Sequence, residues 1–440
     1  YSASLGKGVY SGTATLKGGF ADIASTHIKA TLDGKHEDAL ALLTLAGVPT
    51  LPVGSPGAST VQGEIEGTLK GGLTVKAKAA AAGLTGDVDG KFMRAAGVWS
   101  GKGHVALKAA DIEPYLMAGG IGLPDMGQGS DVDAQADITL GGAAVTFNKL
   151  KGSFAGTGLT GDVKLDFGLT PAKLGGDIAL ERVSVGWLAQ ALLGSGSVTP
   201  SDGDWPATEF AAESFINLQG SVNLTAAKAD LGVYGEISDL TGGLALGGNA
   251  ISLRNLAGGY QGGQIKGTVD AKNDKGTGLV SADLTLKGAR FETIVPQPHV
   301  RGLIDFAGSI SATARTAKGL VEALTGSGTA KLGDAQIAGV NANAFSEMFD
   351  SVSRAEKALE AAQIEALLRE RFSAGGIQAK SIDVSWTAAS GTFRFSPFMV
   401  DLPQGQLSAE TIADAVKSSA RIDGQFIYNA GANAIAGVEP

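Results

Sequence analysis

The chain has no cysteine in 440 residues. That excludes a disulfide framework, a thiolate metal site and a cysteine nucleophile, and leaves the compartment open. Aromatic residues are scarce at 6%, charged ones make up only 18%, and prolines number 13. The longest apolar stretch, residues 39–53, is broken by Pro49 and Pro52 and is too short to cross a bilayer. No basic stripe offsets the formal net charge of −9, because charges of both signs are scattered along the chain. Nucleic acid is therefore not an expected partner. The chain begins at Tyr1 and no basic-then-apolar leader precedes it. We expect a processed form or part of a longer product, with any membrane anchor outside this piece.

What is abundant is glycine, 66 residues, set between regularly patterned apolar segments that bring hydrophobic residues to 44%. With so little proline, glycine here punctuates a folded chain. Apolar and polar residues alternate in Val61-Gln62-Gly63-Glu64-Ile65-Glu66-Gly67-Thr68-Leu69-Lys70 and in Leu73-Thr74-Val75-Lys76-Ala77-Lys78. The same period of two returns at 132–140, 265–270, 304–315 and 382–386. It predicts antiparallel strands with one dry and one wet face.

Internal repetition agrees. Gly83-Leu84-Thr85-Gly86-Asp87-Val88 recurs letter for letter as Gly158-Leu159-Thr160-Gly161-Asp162-Val163, and 150–156 has a looser copy at 256–262. Repeats this degenerate suit an irregular β-array better than a propeller with fixed blades. The exception is an amphipathic helix expected over 344–372. There Phe345, Phe349, Val352, Leu359 and Ala362 keep three- or four-residue spacing, Glu356 and Lys357 are among the polar residues, and Gly375-Gly376 ends it. Shorter helical turns are expected at 37–46 and 187–193.

Motifs that carry chemistry fail on inspection. Gly156-Thr157-Gly158-Leu159-Thr160-Gly161 spells GxGxxG, but a strand pattern follows where a dinucleotide site needs a helix, so it reads as a β-turn. Asp87-Val88-Asp89-Gly90 resembles the start of an EF-hand loop, yet position 12 would be Val98; this too reads as a turn. His27, His36, His104 and His299 have no metal-type spacing, and neither a nucleophile elbow nor a P-loop occurs. We expect no catalytic residue, no metal and no cofactor. A hydrolase site assembled from distant residues is the remaining enzymatic alternative.

The apolar face is either the interior of a sandwich or barrel or an open surface. Strand interiors rich in Ala and Gly offer little bulk for filling a core between two sheets. Leu256-Ala257-Gly258-Gly259-Tyr260-Gln261-Gly262-Gly263-Gln264-Ile265-Lys266-Gly267 resembles the L-x-G-x-Y-x-G-G-x-h-x-G strand-turn pattern (h, hydrophobic) of the AsmA-like family. Val300-Arg301-Gly302-Leu303-Ile304-Asp305-Phe306, Leu324-Thr325-Gly326-Ser327-Gly328 and Ala335-Gln336-Ile337-Ala338-Gly339-Val340-Asn341 are similar to the elements that precede that family's acidic helix. Segments 393–402 and 405–407 resemble its closing strands. Val340-Asn341 departs from the usual acidic-hydrophobic pair.

The resemblance spans about 147–424. It implies a mainly β protein, an elongated, twisted antiparallel β-sheet forming an open hydrophobic groove, with one long amphipathic helix near the C-terminus and a few short helices. Residues 1–146 would be the N-terminal part of the groove, 147–340 its repeats and 341–440 the closing region. It further implies a periplasmic protein of the Gram-negative cell envelope, held at the inner membrane by a segment not in this chain. Its ligand would be phospholipid, with possible envelope protein partners, and its role lipid transport and outer-membrane biogenesis. At about 4.7 Å per strand, some 25 strands would span on the order of 100 Å. Candidate lining residues are Val61, Ile65, Leu69, Val75, Val132, Ile138, Leu140, Ile265, Val269, Leu284, Leu286, Ile304, Phe306 and Ile310. The competing reading is a structural or adhesive β-repeat protein of the cell surface with a sealed apolar core and no lipid.

Overall fold

The computed structural model describes residues 1–45, 50–54, 56–200, 204–295, 297, 299–354 and 360–429. It is mainly β. Among these residues 22 strands belong to one open sheet that does not close on itself, and the helices are few and short. Packing divides the chain into two compact units, the first built mostly from 1–199 and the second mostly from 255 onward.

The first unit contains β1 (Ser2–Leu5), β2 (Gly8–Lys17), β3 (His27–His36), β4 (Ser59–Thr68), β5 (Gly72–Ala81) and β6 (Leu84–Ala95). It continues with β7 (Val98–Ala109), β8 (Val132–Gly141), β9 (Ala144–Phe154), β10 (Thr157–Asp166), β11 (Ala172–Ser184) and β12 (Leu218–Asp230). Each strand pairs antiparallel with the next from β1 to β11, and β11 and β12 pair parallel. The helices α1 (Ala39–Leu45), α2 (Glu113–Ala118) and α3 (Val185–Leu193) sit in the longer connections. Two of them meet the expected helical turns, residue 46 lying outside the described residues.

After β13 (Glu236–Leu246) and β14 (Ala250–Tyr260), the second unit runs β15 (Gly263–Asp274), β16 (Thr277–Arg290), β17 (Val300–Ala314) and β18 (Thr325–Ala338). The closing strands are β19 (Gly376–Ala389), β20 (Thr392–Leu402), β21 (Gly405–Asp414) and β22 (Ser419–Tyr428). All eight pair antiparallel in order. Short helices α4 (Phe291–Ile294) and α5 (Ala317–Glu322) precede α6 (Ala344–Ser353) and α7 (Ala361–Ser373). The last two replace the single helix expected over 344–372. They pack on each other, with Arg371 Nη1 3.8 Å from Glu347 Oε2, and the expected helical positions Glu356, Lys357 and Leu359 lie outside the described residues. No helix among the described residues is long and apolar enough to cross a membrane.

Two-residue hairpins join many strands. Ala155 and Gly156 both take positive φ (46° and 70°), as do Ala82 and Gly83 (25° and 83°). That backbone matches the strands' right-handed twist and favours glycine at the second position. The GxGxxG spelling thus begins in a turn and continues as β10, as expected. The duplicated hexapeptide enters its two hairpins two residues apart: Gly83 is in the turn, Gly158 already in β10. A shift of two keeps each side chain on the same face. The expected turn at Asp87–Gly90 is instead the interior of β6. Asp87 and Asp89 there face Lys78 and Lys76 across the strand pair, at 3.7 and 3.8 Å. Opposite charges in register were the missing clue.

Candidate functional site

Following the register across β4 to β10 builds one apolar face row by row. Ile65 lies opposite Val75, Val75 opposite Gly90, Gly90 opposite Gly103, Gly103 opposite Ile138, Ile138 opposite Phe147 and Phe147 opposite Val163. Val61 and Leu140 lie in parallel rows on this face, and Val132 belongs to the row of Ala109 and Phe154 at its end. Leu69 does not join them, since it sits in the β4–β5 turn, where its carbonyl accepts from Arg94 N–H at 3.0 Å. In the second unit Ile265, Leu286 and Phe306 share one row, Gly267 and Leu284 the next, and Val269, Ala282 and Ile310 a third. Ile304 follows, opposite Ala289. Thirteen of the fourteen candidates therefore lie on strand, on one apolar face in each unit.

Most of these side chains are half-buried, and Ile65 keeps 36% of its surface exposed. The reverse face is charged. Across β4–β8 it places Glu64, Lys76, Asp89, His104 and Asp137 in one row. Lys29–Glu66 (3.2 Å), Lys108–Asp133 (2.6 Å) and Lys149–Asp137 (3.2 Å) close across it. Exposed pairs of this kind add little stability each, about 0–1 kcal/mol; their value is in keeping this face wet and the register unique. A hydrogen bond with His104 Nδ1 at 3.1 Å, and then the Lys149 ammonium, hold the Asp137 carboxyl below its ordinary value. This contribution is present above the ordinary aspartate range and is lost as pH falls through the lowered folded-state value. Carboxyl NMR titration should place Asp137 below 3.8, and Lys149→Ala should move it upward. A midpoint at or above 3.8 in the native protein would contradict this geometry.

Aromatic side chains on the apolar face lie against glycine. A Cβ on Gly90, Gly101 or Gly103 would come within 2.8, 2.6 or 3.2 Å of the Phe92 ring, and one on Gly34 within 2.7 Å of Tyr10. In the second unit Trp386, only 1% exposed, lies against Gly308 and Gly328, and Phe306 stacks on it at 5.2 Å. Covering strand glycines with rings gives the sheet cross-strand contact that glycine alone cannot supply. This pairing was not read from the sequence. The signal exists as glycine opposite an aromatic residue, but it needs the register to be seen.

The apolar faces are covered only in places. In the first unit α2 packs at the end row, where Ile112, Ala109 and Val132 are buried together and the Tyr115 hydroxyl donates to Ala81 O at 3.1 Å. In the second, Phe345 of α6 stacks on Tyr428 at 5.1 Å and Phe372 of α7 meets Phe426 edge-on at 6.3 Å. These contacts put the helices on the apolar side of the last strands, since Phe426 lies opposite Leu407 and packs against the buried Val400–Ile382 cluster. A concavity of about 1220 Å³ lies at the strand ends of the first unit, where Ala81, Leu84 and Ala109 of the apolar end row line it. Lys35, Thr60, Lys108 and Asp133 line it from the charged side, and Val132 is the one candidate that reaches it. No group of three or more metal-ligating side chains gathers among the described residues. Compared with known proteins, the chain matches no family model, no curated protein and no solved structure.

Proposed function

We propose that this protein is an AsmA-like, non-enzymatic lipid carrier of the Gram-negative cell envelope that holds phospholipid tails along a hydrophobic β-groove. The observation that carries this reading is the apolar face that runs across β4–β10 of the first unit, mostly half-buried and backed by a charged reverse face. Acyl chains would lie on the dry face while headgroups stay in water. Each buried methylene contributes about 0.8 kcal/mol, so partial burial of two chains is enough to retain a lipid. A floor of Ala, Gly and flat-lying rings offers no deep trap, and lipids would move along it by one-dimensional diffusion between the inner and outer membranes. The chemistry needs no cofactor and no catalytic group. A periplasmic location with an inner-membrane anchor outside this chain belongs to the same reading, and rests on the family resemblance of the Gly-rich segments.

The sealed structural repeat draws on a different observation, the α6–α7 pair packed over the last strands. Native mass spectrometry with lipid extraction, on protein purified from its own cells, separates the two. Stoichiometric phospholipid is the expected result. A lipid-free chain that self-associates would replace the carrier with the structural repeat.

A further inference from the structure

One rim of the first unit is built from five successive hairpin tips, those joining β2–β3, β4–β5, β6–β7, β8–β9 and β10–β11. Backbone hydrogen bonds tie each tip to the next: Lys70 N–H to Ala24 O (2.9 Å), Arg94 N–H to Leu69 O (3.0 Å), Gly142 N–H to Trp99 O (2.9 Å) and Phe167 N–H to Ala143 O (3.0 Å). The tips are therefore ordered, yet they hold large apolar side chains out in solvent. Ile23 is 55% exposed, Met93 38%, Val98 53%, Trp99 40%, Phe167 60% and Leu169 47%. Folding does not need them there, since each lies beyond or at the end of its strand pair.

Charge sorts the same way. On these tips and within two residues of their strand ends, Lys17, Lys29, Lys70, Arg94, Lys164 and Lys173 stand against Asp22, Glu66 and Asp166, on a chain whose net charge is −9. Arg94 lies over the Trp99 ring at 5.9 Å, so cation and aromatic anchor share one tip. At the opposite ends of the same strands Glu37, Asp38, Asp111, Asp125, Asp131 and Asp133 outnumber Lys7, Lys35 and Lys108.

We propose that this rim docks on an anionic phospholipid bilayer. Trp favours the interface between water and acyl chains, where its ring is apolar and its N–H wet, and Phe, Ile and Leu side chains insert into the apolar side of that boundary. Cations near an anionic surface each add about 1 kcal/mol of attraction. Five tips spaced two strands apart along roughly 40 Å, with exposed apolar anchors on the first, third and fifth, suit insertion into a fluid surface. A protein partner would instead call for one contiguous, complementary patch. Docked in this way, the sheet would stand with one lip of its apolar face at the membrane, which allows lateral entry of a lipid. Docking of this rim does not require tail binding.

The test is co-sedimentation of the full chain with phosphatidylcholine vesicles containing about one third phosphatidylglycerol, compared with pure phosphatidylcholine. Wild type should bind the anionic vesicles, more weakly as salt rises. Trp99→Ser with Phe167→Ser, and separately Lys70→Glu with Arg94→Glu, should each weaken binding by about tenfold or more. All four side chains are exposed, so thermal melting should not move, and the charge pair still reports if the apolar pair misfolds. Absence of wild-type binding, equal binding to both vesicles, or variants that sediment like wild type would overturn the proposal. So would self-association or capture of another protein that the apolar variant abolishes. Bound lipid in native mass spectra together with no vesicle binding would leave the carrier reading standing and remove this one.

Discussion

Trp386→Ala is expected to destabilise the second unit by about 3–5 kcal/mol, the range for truncating a fully buried aromatic residue. The ring is 1% exposed, stacks on Phe306 at 5.2 Å, touches Phe393 at 5.5 Å, and rests on the bare backbone of Gly308 and Gly328. Removing it strips contact from three strands at once. The reciprocal change, Gly308→Ala, puts a methyl group 2.3 Å from Trp386 Cζ2 and 2.8 Å from Ser327 O. Overpacking of this kind costs about 1–3 kcal/mol. The two changes should not add. In the double variant the new methyl occupies space the ring has left, so its loss should fall short of the summed single losses by about 1 kcal/mol or more. Trp386→Phe should cost less than the alanine change, because it keeps an aromatic floor and removes an indole N–H that is buried without a partner. Urea unfolding of the full chain, followed at the transition that the second unit contributes, measures all four. A Trp386→Ala loss below about 1 kcal/mol, or strict additivity with Gly308→Ala, would mean the ring is not a structural part of the sheet.

How much of this was legible in the sequence depended on β-bulges. Strands whose alternation runs unbroken, such as β4, β5, β8 and β15, announced themselves through a period of two. In β9 the inward residues are Val145 and Phe147, then Leu150, Gly152 and Phe154, because the chain bulges at Asn148–Lys149. Lys149 takes φ 51° there and its N–H donates to Asp162 Oδ1 at 2.9 Å. In β16 the corresponding bulge at Lys287–Gly288 gives its Gly288 N–H to Asp305 Oδ1 at 2.8 Å. A bulge adds one residue and flips the parity of everything after it, so a fixed period fails where the structure is regular. An aspartate on the neighbouring strand that accepts the bulge N–H leaves no periodic trace. The helix over 344–372 was misjudged for another reason. Its apolar spacing describes each of α6 and α7 separately, and a spacing argument cannot see that they pack on each other. The apolar face was the most readable feature, because apolar residues recur at every second position within each strand, Val61 with Ile65 in β4 and Ile138 with Leu140 in β8. That the face would stay partly open was signalled only indirectly, by strand interiors of Ala and Gly too small to fill a core between two sheets.

Ile138→Asp should reduce co-purifying phospholipid by about a hundredfold while leaving the fold intact, and Thr139→Asp should change neither lipid content nor fold. The two positions are adjacent on β8 and point to opposite faces. Ile138 sits between Gly103 and Phe147 in the apolar row, and Thr139 between Lys102 and Thr146 on the charged face. An ionised carboxylate at Ile138 holds water around itself on a surface where tails must lie. Loss of contact for about four methylenes is worth about 3 kcal/mol, which is close to two powers of ten in affinity. The fold should survive because Ile138 is half-buried and the new charge can stay hydrated. If the face were instead a sealed core, the same carboxylate would have to be buried without a partner, and Ile138→Asp would unfold the chain rather than empty it. Lipid content by mass spectrometry and the thermal midpoint, measured on the same preparations, therefore separate the two readings. Emptying without unfolding places Ile138 on the lipid path. Unfolding places it in a core, and neither effect removes Ile138 from both.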